Sequence, residues 1–249
     1  LAWANETWKG IWHGLDNQIL AEQVYPGIAD YTNHFNTVLP AFKDHRYIKV
    51  NDKPVFIIYK PLDFEEVQIF MNLWQKLAKE NGLEGIYFIG HIFNYRRIDE
   101  VRALGFDAIN EVRLNEVQRQ LPKPKLSLKQ QLKFNKKEKE AYLQTHEYKD
   151  VITVLHGEES KLNDVIPTIF PNWDHSPRSK GKTLIVHQST PELFRRHIKE
   201  VIAIVEKKPK EENFIFIKSW NEWAEGNYME PDRKYGRQYL EVFKEENSM

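Results

Sequence analysis

Residues 215 to 232 read IFIKSWNEWAEGNYMEPD and hold two acids three positions apart, Glu222 and Glu225, set among Trp220, Asn221, Trp223 and Gly226. Ile215, Phe216 and Ile217 just before them read as a strand that delivers the group at its C-terminal end, and a third acid, Glu230, stands before Pro231. If the turn is helical, side chains three apart bring their Cβ atoms to about 5–6 Å. Breaking a glycosidic bond uses such a pair: one carboxyl protonates the leaving oxygen while the other supplies a base or a nucleophile. Trp220 and Trp223 meet the other requirement, because aromatic faces hold the apolar face of a pyranose and a dry wall raises the pKa of a neighbouring carboxyl into the range of an acid catalyst. Trp220, Asn221, Trp223 and Glu230 are accordingly read as substrate contacts. Two acids at a helix start could instead answer the dipole and the exposed amides. The concentration of Trp, Asn, Glu and Gly at one strand end favours catalysis.

A second cluster opens the chain: Trp3, Asn5, Glu6, Trp8, Trp12 and His13. Mixed with Asn and Glu, these tryptophans make a poor core pattern and a good sugar-facing rim, although aromatic packing around a loop explains the rings equally well. Asn5 and Glu6 are the stronger candidates, since a strand end is a costly place for unpaired polar groups. The third cluster is Pro171 to Arg178, PNWDHSPR. Its Pro, Asn, Asp and Ser are turn formers; Asp174 and Arg178 either brace the loop or meet sugar hydroxyls, and Trp173 beside them favours the latter. Tyr59 and His91 end two further strands and join the substrate-binding set. A lone histidine such as His91 or His187 is more often a hydrogen-bonded scaffold residue than a ligand, and no His and acid spacing makes a metal site. No metal or cofactor is expected.

These clusters need elements to position them. Short apolar runs alternate with amphipathic stretches, the pattern of βα units and a parallel sheet. Strands are expected at 1–5, 54–60, 85–91, 106–111, 165–171 and 214–220. Val67, Phe70, Met71, Trp74, Leu77 and Ala78 recur at helical steps with Gly82 as the stop, and Thr190-Pro191 caps a second helix running to about Lys208. Nearly every strand ends in polar or aromatic residues, which in a TIM-type (β/α)8 barrel converge on the mouth where active sites are built. No glycine-rich phosphate loop follows any strand, so an open nucleotide-binding sheet lacks its signature. One catalytic barrel domain over residues 1 to 249 is expected, interrupted at 119–149 by a lysine-rich stretch that reads as a solvated insertion or, more sharply, as a basic lip for an anionic glycan or diphosphate-linked sugar.

Lys plus Arg and Asp plus Glu number 36 each, so no global field draws nucleic acid or an anionic membrane. There is no cysteine and hence no disulfide framework or thiolate metal site. No run reaches the roughly 20 apolar residues of a membrane span. No basic-then-apolar signal segment opens the chain, and a cytoplasmic location is expected. Only six strands can be counted where a closed barrel takes eight, and Leu1 stands where a third strand should be. The first two βα units are therefore expected to lie outside this sequence.

With these motifs the sequence resembles the WbsX-type, glycoside hydrolase family 99-like proteins of bacterial surface-polysaccharide clusters. The matching stretches are WANETW near the start, DHRYIKVNDKPVFIIYKP at 44 to 61, NWDHSPR at 172 to 178 and WNEWAEGNYMEPD at 220 to 232. They occur in the family's order over the whole length. The resemblance implies a (β/α)8 barrel with two further βα units ahead of the WAN motif, acting on an oligo- or polysaccharide of the O-antigen or capsule. The hydrolases are retaining endo-acting enzymes on α-mannosides. Carried over, Glu222 acts as base on the substrate's own 2-hydroxyl to give a bridged sugar intermediate, and Glu225 acts as general acid and then base. The chain departs from the family where it has His175 and Ser176 for Asn and Thr, and Gly10, Ile11, Trp12 and His13 for two arginines followed by Trp-Asp. Several members carry a glycosyltransferase label, so a transferase using an activated sugar is the first rival, without a nucleotide motif to support it. A glycan-binding barrel without turnover is the second, and the matched acid pair argues against it.

Overall fold

The computed structural model describes residues 1–10, 15, 18–142, 144–179 and 184–247, with backbone alone for Lys137, Ala141, Arg178 and Ser179. They form two compact units: Leu1–Glu111 with Asn163–Val165 and Pro209–Glu212, and Val112–Leu162 with Ile166–Lys208 and Asn213–Met249.

In the first unit the expected apolar runs are strands, and they are parallel. Ala2–Trp3, Lys53–Ile58, Tyr87–Ile92 and Ala108–Glu111 lie side by side in that order, in the registers Trp3↔Ile58, Ile58↔Gly90 and His91↔Asn110. Helices Val67–Glu80 and Ile98–Ala103 make the crossovers that parallel neighbours require. Lys49–Val50 folds back antiparallel on Lys53–Ile58 through Asn51 and Asp52, both with positive φ, as a two-residue hairpin turn demands. The apolar stripe read from Val67 to Ala78 faces the core, where Trp74 and Phe70 meet Phe35, Phe42 and Phe56. Trp74 Nε1 donates to the Tyr31 carbonyl at 2.9 Å, so this fully buried indole has its polar atom paired.

The second unit holds residues 166–169 of the strand Val165–Ile169, paired parallel with Phe216–Ile217 in the registers Thr168↔Phe216 and Ile169↔Ile217. A three-stranded sheet runs Trp173–Asp174, Ile185–His187 and Thr145–Glu147, and Asn221–Glu222 forms a hairpin with Asn227–Tyr228. Helix Pro191–Val205 opens as the sequence indicates, with Thr190 Oγ1 accepting from Leu193 N and Pro191 at the first position. The lysine-rich stretch is not wholly solvated. It carries the short helices Leu128–Lys133 and Lys136–Tyr142, on which Leu128 and Leu132 are exposed. It ends in Thr145–Glu147 and in Tyr148, which is fully buried against Phe170 and His197. Among the described residues no helix is long and apolar enough to cross a membrane.

Candidate functional site

The strand Phe216–Ile217 delivers the carboxylate turn. Two hydrogen bonds of the Ser219 hydroxyl shape that turn: it donates to the Asn227 carbonyl at 2.8 Å and accepts from the Glu222 amide at 3.2 Å. The Trp220 carbonyl takes the amides of Met229 and Glu230. Glu222 ends the first hairpin strand and precedes a single 3-10 turn, Trp223–Glu225, closed by Gly226 in the left-handed region at φ 54°. A Cβ on Gly226 would lie 3.0 Å from Asp174 Cβ and 3.1 Å from its backbone nitrogen, so glycine serves both conformation and space. Glu222 stands just before that turn with φ −82° and ψ 66°, outside the helical region, and Glu225 is the turn's last residue, so one short turn carries both acids.

Glu225 is nearly enclosed, its side chain 13% exposed, with His175 Nε2 at 3.3 Å and Lys218 Nζ at 3.9 Å from its two oxygens. The His175 ring stacks with Trp173, and Lys218 Nζ sits 5.2 Å from the centre of the Trp173 ring. Trp173 is buried; Trp220 and Trp223 are 55% and 48% exposed. Trp223 stacks on Tyr228 at 3.6 Å, and its indole N–H donates to Glu230 at 2.6 Å, so Glu230 fixes a ring. Asp174 accepts from the Ser176 amide at 2.9 Å and braces its own loop. Asn227, opposite Glu222 in the hairpin, is fully buried with neither side-chain polar atom paired among the described residues. The structure thus brings together Trp173, Asp174, Trp220, Asn221, Glu222, Trp223, Glu225 and Glu230 in one unit. The side chain of Arg178 lies outside the described residues, as do Trp12 and His13. Sequence reasoning misses Lys218 and Tyr228; for Lys218 the available signal is the alternation along a strand that already points at Trp220.

Trp3, Asn5, Glu6, Trp8, Tyr59 and His91 belong to the first unit. Trp3 packs edge-on against Phe64 and Tyr25 and leans on Phe70. Asn5 is buried and fully engaged: its amide donates to Tyr25 Oη at 3.1 Å and the Lys60 carbonyl at 2.9 Å, and its oxygen accepts from Lys60 N at 2.7 Å. Glu6 pairs with Lys60 at 2.7 Å. These two and the exposed Trp8 line a cleft of about 640 Å³. Tyr59 stacks on His91 at 5.0 Å, and His91 Nδ1 lies 2.6 Å from Asn110 Oδ1, the scaffold arrangement expected of a lone histidine. Among the described residues no group of three or more His, Asp or Glu could hold a metal ion.

Three solved structures share the fold. A glycoside hydrolase-like protein aligns with TM-score 0.58 and 20% identity, over 87% of this chain and 60% of its own. The GH99 endo-alpha-mannosidase of Bacteroides thetaiotaomicron aligns with TM-score 0.51 over 88% of this chain and 63% of its own, and its complex with bis-tris-propane with 0.50 over 90% and 65%, both at 15% identity. The likeness shows an α/β, TIM-like fold. The uncharacterized protein WxcX of Xanthomonas campestris pv. campestris is 26% identical in strain B100 and 27% in strain ATCC 33913, over 97% of this chain. The chain spans about a third of the length of these relatives, 33% in both. The family model described as Glycosyltransferase WbsX matches residues 1–243, and with the motifs above in order along that span, the chain belongs to the WbsX glycosyltransferase family.

Proposed function

We propose that the chain carries the active centre of a carbohydrate-active enzyme that cleaves or transfers glycosidic bonds of bacterial surface polysaccharide, with Glu222 and Glu225 as its paired acids. The observation that carries this is the strand-to-turn geometry. Ser219 and Gly226 shape one short turn that carries both carboxylates together with the exposed Trp220 and Trp223, and a binding protein has no use for a matched acid pair. Glu222 takes a proton from the substrate's 2-hydroxyl as that oxygen attacks the anomeric carbon. Glu225 gives its proton to the departing oxygen. In the second half Glu225 takes a proton from the incoming water or acceptor hydroxyl, and Glu222 returns its proton to the 2-oxygen as the bridge opens, so the configuration is retained. His175 Nε2, 3.3 Å from a Glu225 oxygen, is placed to hold that carboxyl group in position. Transfer differs from hydrolysis only in the molecule that enters the second half.

Glu222→Gln and Glu225→Gln should each cut turnover of a surface-polysaccharide fragment by about 10² or more, since general acid–base help is worth roughly 10²–10⁴, with unchanged circular dichroism. A dinitrophenyl glycoside, whose leaving group needs no proton, should restore part of the Glu225 variant's rate and none of the Glu222 variant's. Near-normal activity in both would end the assignment. Calorimetric binding of a nucleotide sugar to the native protein would favour transfer from an activated donor instead.

A further inference from the structure

Beside the carboxylate turn the second unit contains a cavity of about 760 Å³ whose lining includes Gln188, Trp223, Tyr228, Asp232, Arg233 and Lys234. That volume suits a sugar ring with its substituents. The charges around it are unbalanced at close range. Asp232 is spent inside its own turn: Oδ1 accepts from the amides of Lys234 at 2.8 Å and Tyr235 at 2.6 Å, and Oδ2 from Tyr228 Oη at 3.3 Å. Glu230 is committed to the Trp223 indole. Lys234 lies 4.6 Å from the centre of the Tyr235 ring, and among the described residues neither Lys234 nor Arg233 forms an ion pair. The chain as a whole is neutral, with 36 residues of each sign, so this cationic wall is local. Gln188, which also faces the cavity, holds φ at +58°, a conformation costly for a residue with a side chain and found where surrounding structure or function imposes it.

We infer that this cavity is a subsite for an acidic sugar, the pyranose lying against the Trp223–Tyr228 plate and its carboxylate or phosphate substituent meeting the Arg233 guanidinium, with Lys234 adding charge. The inference rests on the glycan reading of the neighbouring turn. Guanidinium geometry suits both anions, as two parallel N–H···O bonds reach either. Trp223 then serves both sites at once, which ties recognition of the charged residue to placement of the bond to be cleaved.

The test is binding without turnover. The purified protein is titrated with methyl glucoside, methyl glucuronide, glucose 6-phosphate and inorganic phosphate, at low and high salt, by tryptophan fluorescence and ligand-observed NMR. At low salt at least one acidic sugar should bind tenfold or more tighter than methyl glucoside, and whichever does so assigns the substituent. The preference should disappear in Arg233→Gln, survive in part in Arg233→Lys, and persist in Arg237→Gln, an exposed cation outside the cavity. Equal binding of neutral and acidic sugars, or a preference that outlives Arg233→Gln, overturns the subsite. So does inorganic phosphate that matches glucose 6-phosphate while Trp223→Ala changes nothing, which would leave a bare anion site. Glu222→Gln should keep the preference while turnover falls by the same factor of about 10² or more expected above, so failure of the catalytic reading and failure of the subsite are told apart.

Discussion

The second unit should lose stability steeply as pH falls from 7 to 5, because it buries two neutral imidazoles in a one-way hydrogen-bond chain. Tyr148 Oη donates to the Phe170 carbonyl at 2.6 Å, so it must accept from His197 Nδ1, 2.9 Å away. His197 Nε2 is then an acceptor, and His156 Nε2, at 2.9 Å, is its donor. His156 Nδ1 is left a bare lone pair without a partner among the described residues. Burial, with the Arg113 guanidinium adding to it, pushes His156 down to about 3. Burial and the neighbouring His156 hold His197 well below the usual imidazole range. A proton on His197 would set two N–H groups against each other. Above the unfolded pKa of about 6.5 neither state is protonated, and below it only the unfolded chain takes up protons, until the folded pKa is reached. Each imidazole therefore costs about 1.4 kcal/mol per pH unit in that window, which comes to about 2 kcal/mol between pH 7 and 5 and about 4 for the pair. That is a large part of the roughly 5–15 kcal/mol a domain has to lose. His34 and His146, also lowered by burial, act in the same direction, so the pair is isolated by difference. His156→Gln keeps an N–H for His197. Measured by urea unfolding, its stability should fall by about 2 kcal/mol less than the native protein's over the same two pH units. Parallel losses, or a His156 ring that titrates near 6.5 by NMR, would refute the reasoning.

Trp3 and Trp223 should separate cleanly. Trp3→Ala removes a ring packed on Phe64 and Phe70 and should cost about 3 kcal/mol. Trp223→Ala, on a half-exposed ring, should lower stability far less and weaken oligosaccharide binding, both read by thermal melts and titration. Asn5→Ala strands the amide and the carbonyl of Lys60 and should destabilise the first unit by about 2–3 kcal/mol; a soluble variant of native stability that has lost only glycan affinity would return Asn5 to the substrate. Thr190→Ala deletes the cap of the long helix and should cost about 1 kcal/mol in urea unfolding with no change in turnover.

Parallel strands and the two named helices were legible because a single period carries each of them. The run from Val67 to Ala78 repeats at helical steps and packs as one face, and Thr190-Pro191 marks the start of the other helix by local chemistry alone. Helix Ile28–Lys43 was less legible: it carries Pro40 and buries only Tyr31, Phe35 and Phe42, a thin stripe that periodicity hardly registers. Within the candidate site, residue type was a poor guide to role. Trp3 and Trp8 sit five positions apart with similar neighbours, yet Trp3 faces a cluster assembled from residues 25, 64 and 70, while Trp8 stays 56% exposed. Asn5 looked like a costly unpaired group; its partners lie at Tyr25 and Lys60, and no local reading reaches 55 residues along the chain.

The carboxylate turn was legible in composition, but its conformation was not: the acids do not stand on a helix. The 3-10 turn holds only Trp223–Glu225, and Glu222 precedes it in the hairpin strand with a non-helical backbone. The hairpin Asn221–Glu222 with Asn227–Tyr228 then returns the chain at once, so that Tyr228 backs Trp223 and Glu230 holds its indole. A longer helix would have carried residues 226 to 230 away from the acids. Gly226 makes the return possible, and the loop at Asp174 packs so close to it that any larger residue would crowd Asp174, next to the His175 that lies 3.3 Å from Glu225. On the proposed reading, the glycine after the second acid bears on the chemistry through the neighbours it admits: a strand end can present a pair of acids unaided, but the surroundings of Glu225 depend on a turn tight enough to leave room for the Asp174–His175 loop.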